Sequence, residues 1–142
     1  MRKFERYSMP GAENKLSREL ALQWWPDMQD WAVINANAEL LPSLLQALHR
    51  SELSDDERFS VMELAVASVD EVFTSNEASQ DIWVPFESLL RREASLHVST
   101  IWYWASPALL NAAPESQFAI SSHMAKLWQE VKQDLTARDA TG

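Results

Sequence analysis

Between Ala12 and Thr141 the chain contains no glycine; its two glycines are Gly11 and Gly142. Tight β-hairpins draw on Gly, or on Asn-Gly and Asp-Gly pairs, because their central residues need positive φ. Neither dipeptide occurs. A sheet protein would have to turn repeatedly on strained backbone. The pattern therefore predicts an all-α fold. At 142 residues one domain is expected, and hydrophobic residues at 46% supply a core.

The same absence removes phosphate-cradling loops, the dinucleotide fingerprint and the Gly-x-Ser-x-Gly elbow. With no cysteine there is neither a disulfide framework nor a thiolate metal site. His49, His97 and His123 form no i, i+3 or i+4 pair, short of the converging ligands that zinc requires. Glu63 and Asp70 share a helix face but lack the Glu-x-x-His partners of a di-metal bundle. Glu93 precedes His97 by four residues without a second copy. No catalytic residue, metal ligand or cofactor is expected. The basic start, Met1 to Tyr7, precedes no apolar signal region, and no apolar run reaches the length of a membrane helix, so the expected location is the cytosol.

Charge is distributed unevenly. Residues 1–50 carry six Lys/Arg and six Asp/Glu, and residues 91–142 carry five of each. Residues 51–90 carry ten carboxylates against Arg58 alone, which is the whole of the chain's net charge of −9. Such a field repels nucleic acid and anionic membranes and attracts basic partners.

Along the chain, residues 1–14 read as an arm, residues 15–135 as the helical domain and 136–142 as a frayed tail. A first helix is predicted from Leu16 to Trp25, stopped by Pro26, with Asp27 or Asp30 capping the next through Trp31, Val33 and Ile34. Leu40, Leu41, Leu44, Leu45 and Leu48 have helical spacing, with Pro42 in the first turn or at a kink. Ser54-Asp55-Asp56-Glu57 is a capping box opening a helix whose apolar face is Phe59, Met62, Val66, Val69 and Phe73. Residues 74–81 read as a loop. Further helices are predicted at Ile82–Arg92, with Pro85 near the start, at Leu96–Trp104, ending before Pro107, and from a Ser121 or Ser122 cap through Leu135.

Leu40-Leu41-Pro42-Ser43-Leu44-Leu45 recurs loosely as Trp83-Val84-Pro85-Phe86-Glu87-Ser88-Leu89-Leu90, each followed by a second helix. The spacing resembles HEAT and armadillo repeats, without the Asp and Val-Arg pair that HEAT units often carry. It implies stacked helix hairpins; an irregular helical bundle is the alternative. Seven tryptophans are present. Ile101-Trp102-Tyr103-Trp104 covers every side of a helix, as in a central helix buried all round or an aromatic interface.

Within the acidic stretch, Asp56, Glu63 and Asp70 align at steps of seven with small Ser60 and Ala67 between them, flanked by Glu71. This stripe has almost no Lys for i, i+4 pairing, so its self-repulsion stands. Asp55, Asp56, Glu63, Asp70 and Glu71, with Glu77 and Asp81 from the loop, are the expected partner-binding residues, and Trp83 the aromatic anchor. A small acidic helical chain of this kind resembles the immunity proteins of bacterial toxin systems, including those of contact-dependent growth inhibition. That resemblance implies a monomer that inhibits a basic, nuclease-like toxin domain stoichiometrically. A helical scaffold or self-associating protein using its Trp-rich surfaces is the alternative.

Overall fold

The computed structural model describes residues 6–74 and 79–141, of which Ser79, Gln80 and 134–141 are described by backbone alone. Among these residues there are seven α-helices and no strand, so the chain is all-α. Its contacts gather into two compact units, Tyr7–Glu77 and Met1–Arg6 with Ala78–Gly142.

The first unit holds α1 (Pro10–Leu20), α2 (Trp31–Asn35), α3 (Leu41–Leu48) and α4 (Asp55–Thr74), and the first three pack on α4. α1 starts inside the expected arm and ends before Trp24 and Trp25. Pro10 sits in its first turn, where a missing N–H loses nothing. Ala21 closes it in the left-handed region (φ 58°), as the Leu22 N–H reaches the Ser17 carbonyl (2.9 Å). Trp24 and Trp25 therefore lie on irregular backbone. Asp30 does precede α2, but with positive φ (56°) and no side-chain cap. Long-range bonds hold α2 instead. The buried Trp31 indole N–H donates to Ser17 Oγ (2.8 Å), and the Asn35 amide exchanges bonds with the Gln23 backbone (2.9 and 3.1 Å). Pro42 lies in the first turn of α3 as expected.

α4 opens on the expected capping box. The Glu57 N–H donates to Ser54 Oγ (3.2 Å), and Glu57 Oε1 accepts from the Ser54 N–H (2.8 Å). Arg58 turns back to donate to the carbonyls of Leu48 and Arg50 (both 2.7 Å), satisfying the end of α3. The apolar face is wider than the predicted one: Val61, Leu64 and Ala65 are buried along with Phe59, Met62, Val66 and Val69. The helix buried round most of its circumference is thus α4, and not the one carrying Trp102.

The second unit holds α5 (Ser79–Arg92), α6 (Val98–Leu109) and α7 (Ser121–Thr141). α6 packs extensively along α7, and α5 has α7 as its main neighbour. α5 starts three residues before Ile82, which places Pro85 inside the helix rather than in its first turn. Pro42 and Pro85 therefore occupy unequal positions, and the repeat read from them does not extend to the helices. The part of the expected 74–81 loop at 75–78 lies outside the described residues. α6 runs through Pro107, and α7 runs to Thr141. Ser121 is the first residue of α7, and its buried Oγ accepts backwards from the Phe118 N–H (3.0 Å) instead of capping forward. No helix of the described residues is long and apolar enough to cross a membrane.

Candidate interaction surface

The acids of α4 have three distinct environments. Asp55 and Asp56 are exposed in the first turn, where they face the positive end of the helix dipole. Glu71 is exposed and Asp70 half-buried near the other end, roughly 24 Å along the axis at 1.5 Å per residue. Between them Glu63 is largely withdrawn from solvent, and burial together with the nearby charge of Glu13 pushes its carboxyl up to about 7. A continuous solvated stripe is therefore not formed. Ser60 (0% exposed) and Ala67 (3%) are small because they are packing positions, not gaps between surface charges. Ser60 shares a 2.6 Å hydrogen bond with Ser8, just ahead of α1.

One further acid is committed within the unit. Glu57 is buried and ion-paired with Lys15 of α1, and that partner, with the Ser54 N–H, holds its carboxyl down at about 2. Glu52 pairs with Arg50, which also reaches Glu19. Among the described residues, no cation pairs with Asp55, Glu71 or Asp81, all exposed. Asp81, in the first turn of α5, belongs to the second unit. Glu77 lies outside the described residues.

Trp83, the expected aromatic anchor, is buried within its own unit. It is 4% exposed, with its indole N–H donating to Glu87 Oε2 (2.6 Å) and its ring set edge-on to His123 (centroids 5.1 Å apart) and Phe86 (6.1 Å). It floors a cleft of about 400 Å³ between α5 and α7, lined also by Glu87, His123, Lys126, Leu127 and Glu130. Arg91 pairs with both Glu87 and Glu130 and so ties the two helices across this cleft. The i, i+4 spacing of Trp83, Glu87 and Arg91 is visible in the sequence; that α7 would supply Glu130 is not.

Two aromatic residues of the second unit do reach solvent. On α6, Ile101 and Trp104 turn inward (0% and 7% exposed), whereas Trp102 (37%) and Tyr103 (57%) turn outward. Their rings rest on Trp128 (5.3 Å) and Phe118 (5.6 Å), and Leu110 beyond the helix end is 69% exposed. Sequence periodicity missed Glu13 as well, 7% exposed on α1. Pro10 as a first-turn residue was the signal that could have placed it on a helix. No group of three or more potential metal-ligating side chains occurs among the described residues. No protein-family model matches the chain, and no curated protein or solved structure matches it either.

Proposed function

We propose that the chain is a stoichiometric protein-binding inhibitor of the immunity type, acting in the cytosol on a basic toxin domain. The observation that carries this reading is the concentration of the full net charge of −9 in residues 51–90, with Asp55, Asp56, Glu71 and Asp81 exposed. Exposed carboxylates favour a basic partner, speed its encounter, and make association sensitive to salt. Each unit contributes its own exposed acids, Asp55, Asp56 and Glu71 on the first and Asp81 on the second; Glu63 and Glu57 serve the interior of the first unit, and Trp83 that of the second.

The decisive experiment begins with the neighbouring gene. A secreted toxin with a basic C-terminal domain is expected there, and that domain should be inhibited at a 1:1 ratio. The triple variant Asp55→Lys/Asp56→Lys/Glu71→Lys should slow association by about tenfold or more at low salt, leaving dissociation and helical content nearly unchanged. Unaltered association by a folded variant would sink the acidic-surface mechanism; a neighbouring basic domain that forms no complex would sink the function itself.

A second reading is favoured by Trp102, Tyr103 and Leu110. In it these residues form a contact for self-association, since aromatic side chains are enriched at interfaces. Sedimentation of the wild type against Trp102→Ala/Tyr103→Ala separates the two. A concentration-dependent dimer lost in the variant supports self-association, and a monomer throughout removes it.

A further inference from the structure

The segment from Gln23 to Asn35 is a compact loop whose two ends are tied together. The Asn35 side-chain carbonyl accepts from the Gln23 N–H (2.9 Å), and its amide donates to the Gln23 carbonyl (3.1 Å). Within the loop the Trp31 indole is fixed to Ser17 of α1 (2.8 Å), and α2 packs on α4. A short segment closed on itself and pinned to rigid helices has the form of an Ω-loop, which commonly presents a binding surface.

The loop's own stability does not account for what it carries. Ala21 just ahead of it, and Asp27 and Asp30 within it, hold positive φ (58°, 64° and 56°) with no glycine among them. The Trp24 indole N–H is buried without an acceptor among the described residues. Outward, the loop exposes Trp25 (46%), Val33 (57%) and Ile34 (42%). Trp25 is two residues from Gln23 and Ile34 is next to Asn35, so the paired bonds at the loop base bring these apolar residues to one end of it.

The charge around this patch is nearly of one sign. Between Arg18 and Arg50 the chain contains no Lys or Arg. Asp27, Asp30 and Glu39 are exposed there, and no cation of the described residues pairs with them. Arg50 is held by Glu19 and Glu52, which leaves Arg18, exposed in the last turn of α1, as the cation bordering the segment. Just after α2 the Asn37 N–H donates to Ser68 Oγ (3.1 Å), one turn of α4 ahead of exposed Glu71. The acidic rim therefore continues towards the acids of α4. A second copy of the chain, seated about a two-fold axis, would set Asp27 and Asp30 against their own images.

We infer that the Gln23–Asn35 loop is the apolar part of a protein-docking surface, and that its occupant is a basic protein presenting aliphatic or aromatic side chains flanked by Lys and Arg. The inference rests on the proposed basic partner and places the lasting contact at Trp25, Val33 and Ile34, in the same unit as Asp55, Asp56 and Glu71. Desolvated apolar anchors govern dissociation, whereas the acids govern encounter.

The test uses the full chain and two probes. The first is an amphipathic Leu/Lys peptide, with oligolysine and a Leu/Glu peptide as controls, followed by NMR. The Leu/Lys peptide should shift the Trp25 indole and the Val33 and Ile34 methyls. Oligolysine should bind about tenfold more weakly or worse, and the Leu/Glu peptide should leave these signals in place. Trp25→Ala/Val33→Ala removes exposed side chains, so helical content should hold, and affinity for the Leu/Lys peptide should fall about tenfold. Trp25→Ala alone serves if the double variant unfolds. Three outcomes would overturn the inference: no binding up to about 1 mM peptide, shifts centred on Trp102 and Tyr103, or peptide-free shifts at Trp25 that grow with chain concentration and so name a second copy as the occupant. The second probe is the basic domain encoded by the neighbouring gene, whose dissociation the double variant should speed by about tenfold with association nearly unchanged. Dissociation at the wild-type rate would overturn the inference and leave the proposed function standing. A domain that forms no complex removes that function, and the peptide arm then decides the docking surface by itself.

Discussion

Glu57 and Glu63 stand six residues apart on one helix and are driven in opposite directions by their surroundings. Lys15 and the Ser54 N–H hold Glu57 down at about 2, whereas burial and Glu13 lift Glu63 to about 7. The environment, not the residue type, decides which carboxylate contributes charge to the surface. Glu57 carries its own pH signature. Its folded value lies below the ordinary 4.5, so its stabilising contribution is present above that value and is lost as pH falls towards about 2. Lys15→Met should accordingly lower the urea midpoint at pH 7 and make the decline between pH 5 and pH 2 shallower than in the wild type. Part of that decline should persist, because the Ser54 N–H still favours the ionised form. Urea titrations at closely spaced pH values check both statements; an unchanged acid limb would show that the Lys15 pair contributes nothing in solution.

At the scale of the elements, local chemistry was legible wherever the signal was self-contained. Ser54→Ala should destabilise the chain by about 1 kcal/mol, since it removes one of the two reciprocal bonds of the α4 cap. Denaturant unfolding measures this, and a neutral effect would mean that the cap is redundant with Glu57. The capping box, the start of α3 at Pro42 and the all-α class followed directly from residues close together in sequence. The ends of α1, α2 and α6 did not. Ala21 closes α1 without a glycine because Leu22 reaches back to Ser17, and α2 is held by Trp31 and Asn35 across 14 and 12 residues. The candidate surface was misread for the same reason. Heptad spacing correctly put Asp56, Glu63 and Asp70 on one side of α4, but spacing cannot say that α1 and Ser8 would occupy its middle. Ile101 to Trp104 likewise gave the right aromatic content, yet only packing against α7 and Phe118 decides which rings face out.

For the molecule as a whole, the acids and the aromatics make separable predictions. Binding governed by Asp55, Asp56 and Glu71 should weaken as salt screens it, over a Debye length near 8 Å at physiological ionic strength. Self-association through Trp102 and Tyr103 should persist at high salt, because apolar burial is not screened. Sedimentation at two salt concentrations distinguishes these behaviours without mutation. The charge distribution also assigns the two chemistries to different stretches of chain, since residues 91–142 carry five cations and five anions.

Arg6 belongs to the same unit as the helices that follow residue 78. Ser99 Oγ donates to the Arg6 carbonyl (3.2 Å) across 93 residues, within the unit that joins Met1–Arg6 to Ala78–Gly142. The Tyr7–Glu77 unit is therefore an insertion in topological terms. On a ribosome it would be complete while Arg6 still lacked its Ser99 partner, so that joint closes late and sets a length-dependent step. A fragment starting at Ser79 would lack the Arg6 carbonyl that Ser99 binds, whereas the inserted unit has a continuous chain and could assemble as it emerges.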